Sequence, residues 1–111
     1  MRVWDVKIAI LCRKHLLGEH RELHGLWNIL TKHQGKGGYS QHPETKRWVG
    51  KLRALYARHE ALVAEMEHRG YTHNSPLDKS LAKGRSIQDY FINTISEQLK
   101  ILKSKPCDCL E

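Results

Sequence analysis

Apolar residues in the first third of the chain recur at helical spacing. Leu16, Leu23 and Leu30 repeat every seven residues, and Leu26 and Trp27 fall in the same broad stripe. Arg13, Lys14, Glu19, Arg21, Glu22 and Asn28 largely occupy the rest of the wheel. This pattern predicts a helix from about Leu11 to Lys32. Gly18 and Gly25 lie inside it, lower its propensity, and suggest the close approach of another backbone or a ligand. Gln34-Gly35-Lys36-Gly37-Gly38 is a breaker. A second helix is predicted with Pro43 in its first turn, carrying Trp48, Leu52, Leu55, Tyr56, Leu62, Val63 and Met66. It should stop at Arg69-Gly70, where Gly70 suits a left-handed position. A polar connection from Tyr71 to Gly84 follows, with a short turn at Ser80 to Ala82. The third predicted helix, about Ser86 to Lys103, carries Ile87, Phe91, Ile95, Leu99 and Leu102, and Pro106 ends it. No useful stretch alternates with period two. The expected fold is all-α: three main helices around one core, a non-helical N-terminal segment, and a Cys-bearing tail from about residue 104.

The 111 residues suit a single domain with one modest core. Nineteen Lys and Arg against twelve Asp and Glu give a net charge of +7. With 28% charged and 40% hydrophobic residues, the composition excludes a disordered tail and a membrane protein. No apolar run approaches the roughly 18 residues of a membrane span. Met1 to Asp5 has no signal-peptide layout. The positive charge favours a polyanionic partner, because each neutralised phosphate releases counterions. Cys12, Cys107 and Cys109 are an odd number. They suggest a reduced, cytoplasmic setting rather than a disulfide framework.

On the first helix His15 and Glu22 are seven apart, on nearly one face, with Glu19 between them and Arg21 adjacent. A carboxylate among cations and a histidine can do acid–base work or stabilise a cation. Spacing alone reads first as ion pairs along a helix surface. His20 and His24, four apart, could bind zinc from one helix face. Glu22 is not at the position directly after the first histidine that a zincin helix requires, so no metal is assigned. Cys107-Asp108-Cys109 lacks a second paired cluster. Gly35-Lys36-Gly37-Gly38 lacks the phosphate-loop spacing, and no G-x-S-x-G element is present.

The run Arg13-Lys14-His15-Leu16-Leu17-Gly18-Glu19-His20-Arg21-Glu22-Leu23 resembles the phage pyrimidine-dimer DNA glycosylase (endonuclease V) family. The first helix of that family carries H-L-x-x-E-[aromatic or His]-R-E-L. Ala64-Glu65-Met66-Glu67-His68-Arg69-Gly70-Tyr71 is similar to its A-E-x-x-x-R-G-[aromatic] helix end. Spacing from the N-terminus to the first motif also agrees. The resemblance implies a three-helix protein whose N-terminal segment threads between helices. Its implied activity is base excision at a cyclobutane pyrimidine dimer or related lesion, followed by strand cleavage at the abasic sugar.

By that resemblance the nucleophile is the N-terminal α-amine and the catalytic carboxylate is Glu22. Arg2, His15 and Arg21 match residues near the lesion and its phosphates, while Lys100 and Lys103 offer general backbone attraction. An α-amine has a reference pKa roughly 2.5 units below that of lysine, so about 300 times more of it is unprotonated at pH 7. Arg2 should lower it further. The implied partner is damaged double-stranded DNA, with no cofactor, metal, membrane or obligate protein partner. Departures from the family are specific. Arg2 is too bulky for the usual methionine trimming, so Met1 should be retained and supply the amine. Gly25 stands where the family has another helical arginine, and the Cys-bearing tail replaces an aromatic, basic one. The alternative function is a non-catalytic helical nucleic-acid-binding protein.

Overall fold

The computed structural model describes residues 3–32, 42–73 and 75–104. Four α-helices form among them: α1 (Arg13–Thr31), α2 (Pro43–Lys46), α3 (Leu52–His68) and α4 (Ile95–Lys103), with single 3-10 turns at Ile8–Ile10 and Lys79–Leu81. The all-α expectation holds, and α1 matches its predicted span to within two residues at each end. The core is built from the N-terminal segment (Val3, Trp4, Val6, Leu11), the α1 stripe (Leu16, Leu23, Leu26, Trp27), Trp48, α3 (Leu55, Leu62, Met66) and Leu102 of α4. Leu30 is half-buried at the end of the stripe.

The second predicted helix is interrupted. Pro43 opens α2, and His42 Nδ1 accepts from the Glu44 N–H as its cap. After Lys46 the chain turns through Gly50 at φ 75° before α3 begins. The cause is tertiary. Residues 83–85 of the connection run across the start of α3, and the carbonyls of Lys83 and Arg85 accept from the Arg53 and Ala54 N–H groups. Those donors would otherwise be orphaned at a helix N-terminus. Gly84, at φ 87°, lies so close to the Gly50 carbonyl that a Cβ there would collide with it. The far end of α3 closes as predicted: Gly70 is left-handed, Tyr71 N–H donates to Met66 O (2.9 Å) and Gly70 N–H to Glu67 O (3.0 Å).

The third predicted helix is also shorter than its pattern. Helix begins only at Ile95, where Thr94 and Glu97 form a reciprocal capping box. Residues 86–94 are non-helical because their polar groups serve another element. Gln88 Nε2 donates to Arg47 O (2.8 Å), and Tyr90 O accepts from Arg47 (3.0 Å). Ile87, Phe91 and Ile95, predicted for the core, are exposed. Nor do Gly18 and Gly25 mark a close approach: a Cβ at either position would meet nothing within 4 Å.

Residues 3–7 carry no helix and no strand, so their backbone groups need other partners. Side chains supply them. The Val3 N–H donates to Glu44 Oε1 (3.3 Å), the Trp4 N–H to Glu19, and the Asp5 N–H to Gln98 Oε1 (2.8 Å). Val3 O accepts from Arg47 (2.8 Å) and Val6 O from Arg58 (2.9 Å). At the end of the 3-10 turn Leu11 O accepts from Arg69 (2.6 Å). The N-terminal segment therefore does pack between helices.

Arg47 is the most heavily engaged of these, its side chain only 1% exposed. It pairs with Asp5 (3.1 Å) and Glu44 (2.8 Å) while reaching two carbonyls. Removing it would strand two carboxylates in a dry environment. Arg47→Met should cost about 3–5 kcal/mol, the usual penalty for breaking a buried ion pair from one side. Urea denaturation measures this; a loss below about 1 kcal/mol would show that the network is dispensable.

Candidate functional site

Two flanks of α1 carry the residues of interest. On one flank, His15 and Glu22 lie seven residues apart, and both are half-buried. The Trp4 ring stands edge-on to the His15 imidazole, with centroids 6.1 Å apart and planes at 88°. Cys12 Sγ lies 3.1 Å from His15 Nδ1. The start of the described chain is therefore fixed beside the first turn of α1, on the flank that Glu22 occupies two turns later. Arg21 is exposed on α1, and Lys100 and Lys103 are exposed on α4. Met1 and Arg2, like Cys107 and Cys109, lie outside the described residues.

Glu19 is not part of a surface ion-pair lattice. It is buried, and Arg58 of α3 grips both its oxygens, Nε to Oε2 at 2.6 Å and Nη2 to Oε1 at 2.9 Å. Burial pushes the Glu19 carboxyl up from its ordinary value, while Arg58 and the Trp4 N–H oppose the shift. Its work is to hold Trp4 against α1. Spacing alone could not separate Glu19 from Glu22, because the distinction depends on where α3 brings Arg58.

On the other flank, His20 and His24 meet His59 of α3 and His73 of the following connection. His59 Nε2 lies 3.2 Å from His20 Nε2 and 3.1 Å from His24 Nε2. One nitrogen from each of the four rings falls within 4.8 Å of all the others. His59 is fully buried and the other three are half-buried. Sequence reading found the α1 pair and missed its partners. Thirty-five and forty-nine residues separate them from His24, and no short-range signal links them. These four are the described residues that could hold a metal.

A family model for pyrimidine dimer DNA glycosylases matches residues 1–79. The chain belongs to this family. The match spans the N-terminal segment, both α1 flanks, α2, α3 and all four histidines. No curated protein and no solved structure matches. Membership in a DNA-repair glycosylase family makes damaged DNA the relevant polyanion for the +7 charge. No helix among the described residues is long and apolar enough to cross a membrane.

The histidine cluster is expected to make stability depend on pH. Burial, and then the neighbouring imidazoles, lower His20 to about 4. Burial is also the main cause of the lowered values at His24 and His59, with Glu60 partly opposing it at His59. The unfolded chain binds these protons near 6.5, so between about 6.5 and 4 it holds more protons than the folded chain. Stability from the neutral cluster is fully present above that window and lost as pH falls through it. Melting temperature in chelator-containing buffer should therefore decline from pH 7 to pH 5. His20→Asn should flatten the decline, and an unchanged slope in that variant would remove His20 from the effect.

Proposed function

We propose that the chain is a DNA glycosylase with abasic-site lyase activity, acting on cyclobutane pyrimidine dimers or related lesions in double-stranded DNA. The nucleophile is the Met1 α-amine. It attacks C1′ of the damaged nucleotide; the N–C1′ bond forms and the glycosidic bond breaks, releasing the base from the sugar. Transfer of a proton from nitrogen to O4′ and cleavage of the C1′–O4′ bond open the ring and leave an iminium. The iminium acidifies the C2′ proton, which Glu22 removes. The electron pair forms the C2′–C3′ double bond, and the 3′ phosphate departs. Water then hydrolyses the imine and frees the amine. Glu22 also stabilises the cationic sugar before that step.

The observation that supports this assignment most directly is the Trp4 ring set edge-on to His15, on the flank of α1 that also carries Glu22. Val3 is bonded at both its N–H and its carbonyl. Two further residues reach at most about 7 Å from a fixed point. Glu22 lies about 10 Å along the helix from His15, given its rise per residue. An amine tethered there has a small search volume, the condition under which orientation lowers a barrier. His15 and Arg21 would meet the sugar–phosphate, with Arg2 next to the amine in sequence.

Borohydride added to protein and dimer-containing or abasic duplex should trap a covalent adduct, which peptide mapping would locate on the N-terminal amine. DNA binding without any adduct would leave a non-catalytic binder and overturn the proposal. Glu22→Gln should lower strand cleavage about 10²–10⁴-fold, the usual contribution of a general acid–base group, with DNA binding retained. Full activity in that variant would exclude Glu22.

Lys100 and Lys103 are expected to act only through charge. Replacing both with Ala should weaken binding to damaged and undamaged duplex alike. The slope of log K against log salt should become shallower by up to about 1.8, as for two phosphate contacts. An unchanged slope would place α4 away from the DNA.

A further inference from the structure

We propose that His20, His24, His59 and His73 form a four-coordinate structural zinc site clamping α1 to α3 and to the connection that follows α3. This inference goes beyond the repair chemistry, does not depend on it, and departs from the sequence expectation of no metal.

Geometry supports the site first. Tetrahedral zinc with Zn–N bonds of about 2.0–2.1 Å sets its ligand nitrogens about 3.3–3.4 Å apart. The His59 Nε2 separations from His20 and His24, 3.2 and 3.1 Å, are already close to that edge length. No pair among the four ligand atoms exceeds 4.8 Å.

Proton positions support it second. His59 Nδ1 lies 3.1 Å from Glu60 Oε1, so Nδ1 carries the proton and donates it. The His59 Nε2 then carries a lone pair and lies within 3.2 Å of the Nε2 atoms of both His20 and His24. One in-plane lone pair serves one well-directed donor, yet two imidazoles converge on it. A cation at the centre satisfies all of them. A carboxylate behind a ligating histidine is the usual outer partner that fixes the ring and raises its basicity.

The role is structural. Four protein ligands close the coordination sphere and leave no position for a reacting water. Glu22 lies between His20 and His24 in sequence, but at about 100° per residue it points to the opposite side of the helix.

The test uses the untagged full-length chain, since a histidine tag would bind metal itself. Elemental analysis should find about one zinc per chain, and Co²⁺ exchange should give the intense visible bands of a tetrahedral centre. Chelation should lower the melting temperature. His59 is fully buried and its replacement risks misfolding, so two gentler variants carry the decision. His73→Asn should abolish stoichiometric zinc. Glu60→Gln should weaken zinc about 10–100-fold in competition with a chromophoric chelator, as expected for an outer partner. The proposal is overturned if metal-free protein takes up no zinc at one equivalent. It is equally overturned if both variants bind zinc as tightly as the parent.

Discussion

An extended segment threaded through a helical protein has no ladder to satisfy its backbone, and much of this fold follows from that constraint. Residues 3–11 are answered by side chains drawn from every helix around them. Carboxylates and an amide receive the N–H groups: Glu44, Glu19 and Gln98. Three arginines, Arg47, Arg58 and Arg69, donate to the carbonyls of Val3, Val6 and Leu11. Arg58 and Arg69 are eleven residues apart on or just beyond α3, three turns along one face, and they follow the segment as it runs past that helix. An arginine has five donors in a rigid plane, so it can neutralise a carboxylate and still reach a carbonyl. Arg47 does this for two carboxylates and two carbonyls, Arg58 for Glu19 and Val6, and Arg69 for Glu65 and Leu11. Buried charge is thereby used to fix a chain path, a role in which ion pairs specify a conformation more than they stabilise it.

The same constraint explains which parts of the fold could be read from sequence. Where a segment's partners are local, periodicity sufficed. The α1 stripe with Trp27 and the Gly70 terminus lie where spacing puts them, whereas Trp48 is buried on the turn between α2 and α3 instead of on a helix. Where a segment's polar groups are claimed from a distance, periodicity misled. The apolar spacing of 86–103 fits one long helix, but Gln88 and the Tyr90 carbonyl are committed to Arg47. The pattern from Pro43 onward likewise ignores residues 83–85, whose carbonyls cap the true start of α3. Nothing in the local spacing marks Glu44 and Arg47, although they are buried and hold residue 3. Residues 88, 90 and 98 lie beyond the family match at residue 79, yet they complete this network. The N-terminal anchorage therefore depends on chain outside the matched region.

Of the candidate site, Glu22 and His15 were legible because the motif places them together on one face of one helix. The histidine cluster was half legible, since only the α1 pair has a spacing to recognise. His59 and His73 join it through the packing of α1 on α3 and the turn at Gly70, neither of which leaves a local signature.

The angular layout of α1 unites these observations. With the core stripe of Leu16, Leu23 and Trp27 as reference, His20 and His24 lie on one edge. His15 and Glu22 lie on the other, well over 100° around the helix at about 100° per residue. Glu19 projects inward beside the stripe and is the point where α3, α1 and the N-terminal segment meet. The helix is consequently held from both sides by different chemistry. One side is fixed by four imidazoles shared with α3 and the connection. The other abuts the segment that Arg47 and Arg58 pin in place. A helix gripped only by its apolar stripe could roll and carry Glu22 with it. Polar constraints on both edges oppose that roll in either direction, so the histidines can bear on the position of Glu22 without coming near it.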